Sequence, residues 1–163
     1  MSSDRIEKQV LLRAPRERVW RAIGDAAEFG QWFGVRFDGP FVAGGMLTGR
    51  IVPTTVDPEI AEEQKPHEGL VFEIRVERIV PMQHLSFRWH PYPVGPVDFS
   101  SEPTTLVTFD LADAPGGILL TIVESGFDRV PAARRAEAFK ANEGGWEAQT
   151  RLIAKYLALQ ATR

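Results

Sequence analysis

The sequence predicts an α+β fold in which an antiparallel sheet packs against one long C-terminal helix. From about Asn142 to Gln160, Trp146, Ile153 and Tyr156 recur at helical spacing, so their side chains share one stripe. Between about residues 35 and 124, much of the chain alternates apolar with polar residues, as the strands of a half-buried sheet do. A helix with one apolar stripe must bury it, and the predicted sheet is the surface that can receive it.

The N-terminal part of the chain predicts one strand followed by two short helices. The strand covers about Ile6–Leu12, and the first helix runs from about Pro15 to Ile23, with the proline in its first turn. A second helix is predicted at about Ala26–Trp32. Asp25 is its expected N-cap, and Glu28 completes a capping-box pattern three residues later.

Six further strands follow, bounded by glycines, prolines or polar turns. They are predicted at about Val35–Asp38, Met46–Val52, Leu70–Val80, His84–His90, Thr104–Leu111 and Ile118–Glu124. In an antiparallel meander, the two long connections, Pro53–Gly69 and Pro91–Pro103, fall at the same end of the sheet. The short turns fall at the other end. This asymmetry indicates that a cavity would open at the end that carries the long connections.

Composition narrows the classes of function. The 163 residues suit one domain over 1–163, with 44% hydrophobic and 25% charged residues. The net charge of −3 argues against nucleic acid as a partner, and the lack of cysteine excludes thiolate sites. No apolar run approaches the roughly 20 residues that span a bilayer, so no membrane contact is expected. The polar N-terminus has no signal core, and a cytoplasmic location is the expectation.

Motifs for metal, nucleotide or serine chemistry are missing from the sequence. The three histidines are His67, His84 and His90, and none forms a zinc-type HExxH pair. The chain also has no G-x-S-x-G elbow and no G-x-G-x-x-G turn between a strand and a helix. We therefore expect neither a metal ion nor a cofactor.

Several short motifs occur in a specific order along almost the whole chain. They are Ala14-Pro15 with Val19-Trp20, Trp32-Phe33, Gly44-Gly45, Phe87-Arg88-Trp89, Gly116-Gly117, Glu124-Ser125-Gly126-Phe127 and Gly145-Trp146. With these motifs the chain resembles the SRPBCC superfamily of START-like, birch-pollen-allergen-like proteins over about residues 5 to 160. Within that superfamily it is most similar to the bacterial heat-shock-protein ATPase activator-like family.

The resemblance implies a helix-grip fold, in which a seven-stranded antiparallel sheet wraps around the C-terminal helix and two short helices follow strand 1. It also implies a hydrophobic cavity between sheet and helix that often holds a small apolar ligand. Two features depart from the family pattern. The Pro53–Gly69 connection is longer than usual, and Glu124 stands where many relatives carry a histidine.

The expected ligand-binding residues are mainly aromatic, because ligand sites are concave and mostly apolar. The predicted set is Trp32, Phe33, Phe72, Phe87, Trp89, Phe109, Ile122, Glu124, Phe127, Trp146 and Ile153. The resemblance implies that Trp89, Phe109 and Trp146 face one another across the gap between sheet and helix. Aromatic residues also fill ordinary cores, so core packing stays open for each of them.

Glu124 is the one candidate for catalysis. By strand alternation it shares a face with Leu120 and Ile122. If that face looks into a cavity, the carboxylate can act as a general acid or base, or hydrogen-bond a ligand. The alternative is that the strand ends here and Glu124 reaches water at the open end.

Two glycines near the start of the predicted long helix also have alternative interpretations. Glycine inside a helix costs about 1 kcal/mol relative to alanine. Gly144-Gly145 therefore indicates either a break at Asn142, between a short helix at Ala132–Ala141 and the main one, or a functional feature. The functional alternatives are close approach of the helix to the mouth loops, or a kink that lets the helix move as a gate.

The favoured hypothesis is a domain that binds a small hydrophobic molecule between sheet and helix. One alternative is an enzyme of the cyclase, dehydratase or hydrolase type that uses Glu124. The other is a partner-binding module similar to a co-chaperone, which would need an exposed apolar patch. Both a monomer and a homodimer are compatible with the sequence.

Overall fold

The computed structural model describes residues 5–91 and 103–161, without the side chains of residues 160 and 161. The strands are β1 (Arg5–Leu12), β2 (Val35–Phe37), β3 (Met46–Ile51), β4 (Val71–Val80), β5 (His84–Trp89), β6 (Thr105–Ala114) and β7 (Gly117–Ser125). The helices are α1 (Arg16–Gly24), α2 (Ala26–Phe33), α3 (Pro58–Gln64) and α4 (Ala132–Ala161), with 3₁₀ turns at Lys65–His67 and Phe127–Arg129. The predicted α+β class and the two short helices after the first strand are confirmed.

The seven strands form one antiparallel sheet in the order β1-β7-β6-β5-β4-β3-β2. β2 to β7 follow one another as a meander, and β1 returns to pair with β7 along its whole length. α4 packs against β1 and α2, so the sheet and the short helices hold the long helix between them. This arrangement is the helix-grip architecture that the family resemblance implied.

Strand alternation decides which side chains face the helix. On β6, Val107 and Phe109 are fully buried, while Leu106 and Thr108, which alternate with them, are partly exposed. On β7, Leu120, Ile122 and Glu124 lie on the buried face, as the period-two pattern predicts.

The long connection between β3 and β4 is folded. The Asp57 side chain caps α3 by accepting from the backbone N–H groups of Glu59 and Ile60, at 2.9 and 3.2 Å. Val56 and Ile60 are buried, so this connection packs onto the body of the fold. The other long connection was predicted at Pro91–Pro103, and its residues 92–102 lie outside the described residues.

The long helix is continuous, which overturns one prediction. α4 begins at Ala132 and passes through Asn142 without interruption, so the predicted break at that residue is wrong. Gly144 and Gly145 are both exposed, and a Cβ on either would meet no atom of the described residues within 4 Å. Close approach to a described part of the mouth therefore does not explain them.

Glu28, in the first turn of α2, joins the two short helices to α4. Asp25 caps α2 as predicted, accepting from Ala27 N and Glu28 N at 2.9 and 3.1 Å. The Glu28 carboxylate pairs with Arg18 and Arg21, at 2.9 Å each. Tyr156 of α4 donates its hydroxyl to Glu28 Oε1 at 2.7 Å. Burial, reinforced by this hydrogen bond, raises the pKa of Tyr156 above its ordinary value.

Aromatic rings fill the centre of the gap between sheet and helix. Phe29 of α2 lies 5.7 Å from Phe109, and Phe109 lies 5.8 Å from Trp146, as measured between ring centroids. Trp32 is fully buried and donates its indole N–H to the carbonyl of Ala22 at 2.9 Å. Within the described chain, no helix has both the length and the hydropathy to cross a bilayer.

Candidate functional site

A buried carboxylate joins three strands to the long helix. Glu124 has no exposed surface, so the interpretation that it reaches water is wrong. Its Oε1 accepts from Trp146 Nε1 at 2.8 Å and from Asn142 Nδ2 at 2.9 Å. Its Oε2 accepts from Trp89 Nε1 at 2.8 Å and from Thr105 Oγ1 at 2.5 Å.

The fold brings these donors together from distant parts of the chain. Trp89 ends β5 and Thr105 begins β6, where the two residues pair, and Glu124 lies near the end of the neighbouring β7. Asn142 and Trp146 are four residues apart on α4, so both side chains project towards the same edge of the sheet. The carboxylate therefore ties the helix to the open end of the sheet.

In this cluster, protein hydrogen bonds take the place of the water that would otherwise solvate the Glu124 carboxylate. All four donors are electrically neutral, and both carboxylate oxygens are occupied. Hydrogen bonds to a charged group are stronger than those between neutral groups. The cluster therefore keeps a buried negative charge that no cation among its described partners offsets.

Beside this cluster lies a cavity of about 260 Å³ at the open end of the gap. Its described lining residues are Phe33, Gly34, Ile51, Gln64, His67, Phe72, Trp89, His90, Pro91, Asn142 and Gln149. A smaller space of about 70 Å³ shares Phe33, Trp89, Asn142 and Gln149 with it, and adds Gly145 and Trp146. The two spaces therefore adjoin along the Trp89 wall.

The aromatic wall of the cavity is built around Trp89. The ring centroid of Trp89 lies 5.9 Å from that of Phe72, 6.3 Å from that of Phe33 and 5.7 Å from that of Trp146. These are the distances of edge-to-face and tilted aromatic packing, so the rings support one another.

The structure places the eleven predicted site residues in three settings. Phe33, Phe72, Trp89 and Trp146 line the cavities, and Glu124 lies behind the indoles without itself lining them. The other six are buried in the packed core: Trp32, Phe87, Phe109, Ile122, Phe127 and Ile153. Phe127 packs on Phe139 at 5.2 Å, at the start of α4.

Sequence reasoning missed the polar side chains of the cavity wall. Gln64 and Gln149 each donate an amide N–H to the carbonyl of Phe33, at 3.0 Å. Gln64 also accepts from Thr54 N at 2.7 Å. Asn142 and Gln149 lie four residues before and three residues after Trp146, so helical spacing alone places them on its stripe. No comparable sequence signal points to Gln64.

A larger open groove of about 720 Å³ lies elsewhere, between α2 and the loops that flank β2. Five of its sixteen described lining residues are glycine or proline, and none of the sixteen is a predicted site residue. The cavity beside Glu124 is the better candidate, because aromatic rings and polar amides converge there. In the part of the chain that the structure describes, no group of three or more His, Asp or Glu residues is placed to hold a metal ion.

Comparison with known families agrees with this architecture. The model of the family described as "Activator of Hsp90 ATPase homolog 1-like protein" matches residues 13–158. The chain belongs to this family. The resemblance to the SRPBCC superfamily is thereby confirmed, and the family's fold is consistent with ligand binding.

Solved structures of similar fold extend the comparison. DynU16, a protein in the dynemicin biosynthetic locus, is 25% identical with a TM-score of 0.66; the match covers 95% of this chain but only 47% of that one. MLL2253 from Mesorhizobium loti is 19% identical with a TM-score of 0.69, over 94% of this chain and 96% of that one. NE0264 from Nitrosomonas europaea is 14% identical with a TM-score of 0.69, over 100% and 99% of the two chains. No curated protein matches the chain.

Proposed function

We propose that this protein binds a small, largely apolar molecule in the cavity at the open end of the sheet. The observation that carries the proposal is the cavity of about 260 Å³ that Phe33, Phe72 and Trp89 line together with the amides of Asn142 and Gln149. Apolar walls with a few convergent polar groups are the usual composition of small-molecule sites.

The volume limits the size of the ligand. Sites for drug-sized molecules measure roughly 300–1,000 Å³, and this cavity is slightly smaller. A molecule of one or two rings, or an aliphatic group of similar bulk, fits that space. The deeper part of the gap is packed with side chains such as Phe87 and Phe109, so the ligand occupies the open end rather than the centre.

The comparison with DynU16 supports a small-molecule role without naming a ligand. That protein lies in the dynemicin biosynthetic locus, and the structural match covers 95% of this chain and 47% of DynU16. Biosynthetic loci handle small organic molecules, and a binding cavity in this chain is compatible with such a context.

Binding of one- and two-ring aromatic compounds, both neutral and charged, is measured by isothermal titration calorimetry. Ile51→Trp places a large ring in the cavity wall and is expected to weaken binding at least about tenfold. Val71→Trp is the matched control, because Val71 is exposed and does not line the cavity. If no compound binds, or if both variants bind like the unmodified protein, the proposal is wrong.

Catalysis by Glu124 is not part of the proposal. Four donors already occupy both carboxylate oxygens, and the partners of Glu124, not Glu124 itself, form the described cavity wall. A general base needs an oxygen within reach of the proton that it removes.

A partner-binding role lacks a supporting observation in the described part of the chain. Its large exposed apolar side chains are Val42, Met46, Val71 and Leu159. Met46 and Val71 pair with Arg75 and Arg50, and the polar pair Thr48–Glu73 lies between them on the sheet. Single exposed apolar residues are normal on protein surfaces, and only a large contiguous patch indicates a docking site.

A further inference from the structure

We infer that the cavity selects an organic cation: an ammonium group that carries apolar substituents. The inference rests on the proposed function and adds the charge of the ligand to it. Three features carry it, namely the aromatic wall, the buried carboxylate behind that wall, and the signs of the charges around the cavity.

The rings of Phe33, Phe72 and Trp89 line one small space. Phe33 and Phe72 both pack against Trp89, with centroids at 6.3 and 5.9 Å. A cation within about 6 Å of a ring centroid is attracted by the negative face of the π system, and tryptophan gives the strongest attraction. A cavity of about 260 Å³ is small enough that a group inside it lies against these rings.

The carboxylate makes the two indoles better partners for a cation. Trp89 and Trp146 both donate their N–H groups to Glu124 at 2.8 Å. A donor that binds an anion is polarised towards it, which leaves its ring more electron-rich. The charge of Glu124 also acts directly, since it lies immediately behind the wall and its described partners are uncharged.

Among the described residues, no lysine or arginine lines this wall. His67 and His90 are the described lining residues with an ionisable side chain. The segment from Asp57 to Glu68, which supplies Gln64 and His67 to the wall, holds five carboxylates and one lysine.

A purely apolar cavity has the opposite preference. An ammonium group must leave water to enter, and burial of an unpaired charge is strongly unfavourable. A neutral molecule of the same shape would then bind more tightly. The sign of the preference between a cation and its neutral isostere therefore separates the two kinds of cavity.

The experiment compares benzyltrimethylammonium with neopentylbenzene, which share a shape and differ by one unit of charge. Binding is measured by titration calorimetry in low salt at pH 8. We expect the cation to bind about tenfold more tightly than the neutral compound. Equal or tighter binding of neopentylbenzene overturns the inference and leaves the proposed function standing. Binding of neither compound overturns the inference as well.

Two variants locate the source of the preference. Glu124→Gln removes the buried charge at nearly constant shape, and the cation's advantage should disappear. If that variant does not fold, Glu63→Gln combined with Glu68→Gln tests the acidic mouth on exposed side chains. The double variant should reduce the preference for the cation at low salt and leave neopentylbenzene binding unchanged. An unchanged preference in every variant that folds contradicts the inference.

Discussion

Trp89 and Trp146 donate their indole N–H groups to opposite oxygens of one carboxylate, that of Glu124, while their rings lie 5.7 Å apart. Trp89 belongs to the sheet and Trp146 to the long helix. The two hydrogen bonds to Glu124 therefore link the two layers of the fold. The same two tryptophan side chains form part of the wall of the candidate cavity.

Replacement of Glu124 by leucine should destabilise the fold by more than about 3 kcal/mol. The substitution leaves the buried donors of Thr105 and Trp146 without an acceptor, at about 1–3 kcal/mol each, and removes the acceptor of the partly buried Trp89 as well. Urea denaturation measures the change. Ile122→Val, on the same face of β7, is the control and should lose only about 1 kcal/mol. A loss for Glu124→Leu no larger than that of the control would mean that the cluster is not structural.

Much of the sheet could be predicted, because alternation depends only on neighbouring residues. Val107 and Phe109 are buried where the period-two pattern of β6 places them. The continuity of α4 from Ala132 through Asn142 could not be predicted in the same way. Between residues 132 and 141 only Ala138 is buried, so that part of the helix carries almost no apolar stripe.

The candidate site was predictable only in part, for a related reason. The aromatic residues of the wall stand out by type, and Phe33, Phe72 and Trp89 were among those predicted. The burial of Glu124 depends on donors at positions 89, 105, 142 and 146, which only the folded topology brings together. A sequence pattern describes local periodicity and contains no direct record of such distant contacts.

Gly144→Ala should stabilise the protein by about 1 kcal/mol. Gly144 lies in the interior of α4 and is exposed, and a Cβ there meets no atom of the described residues within 4 Å. Alanine then lowers the conformational entropy of the unfolded chain without a clash. Gly126→Ala is the contrasting control, because Gly126 has φ of +100° and alanine there is strained. A destabilised Gly144→Ala variant would favour a bend in the helix instead.

The Tyr156 hydroxyl should make stability depend on pH in the alkaline range. Its pKa is raised in the folded state by burial first and by the hydrogen bond to Glu28 second. A group with a raised folded pKa contributes its full stability below its unfolded pKa, near 10, and loses that contribution as pH rises through the folded pKa. Tyr156→Phe should therefore be less stable than the unmodified protein at pH 8, by about 1.5 kcal/mol.

The difference in free energy of unfolding between the unmodified protein and Tyr156→Phe should narrow above pH 10, because phenylalanine cannot ionise. Chemical denaturation at pH 8, 9, 10 and 11 measures both curves under the same conditions. A difference that stays constant over this range would show that the hydroxyl does not ionise on unfolding, contrary to the raised pKa.

Gln64 should determine how firmly α3 closes over the cavity. Its amide accepts from Thr54 N and donates to the carbonyl of Phe33, so one side chain joins the β3–β4 connection to the end of α2. Gln64→Ala removes both bonds, and we expect faster amide hydrogen exchange across residues 53–69. Exchange in β6 and β7 should remain unchanged, since neither strand contacts Gln64 through a described hydrogen bond.

Glu63→Ala is the matched control, because Glu63 is the exposed neighbour of Gln64 on the same helix. Both variants introduce alanine into α3, so a change in helix propensity does not distinguish them. If the two variants exchange at the same rate, the closure of α3 depends on the burial of Val56 and Ile60 rather than on the amide. Faster exchange in Gln64→Ala alone shows that the Gln64 amide holds α3 in place. The same variant should also release a bound ligand more quickly, because Gln64 lines the cavity that the connection covers.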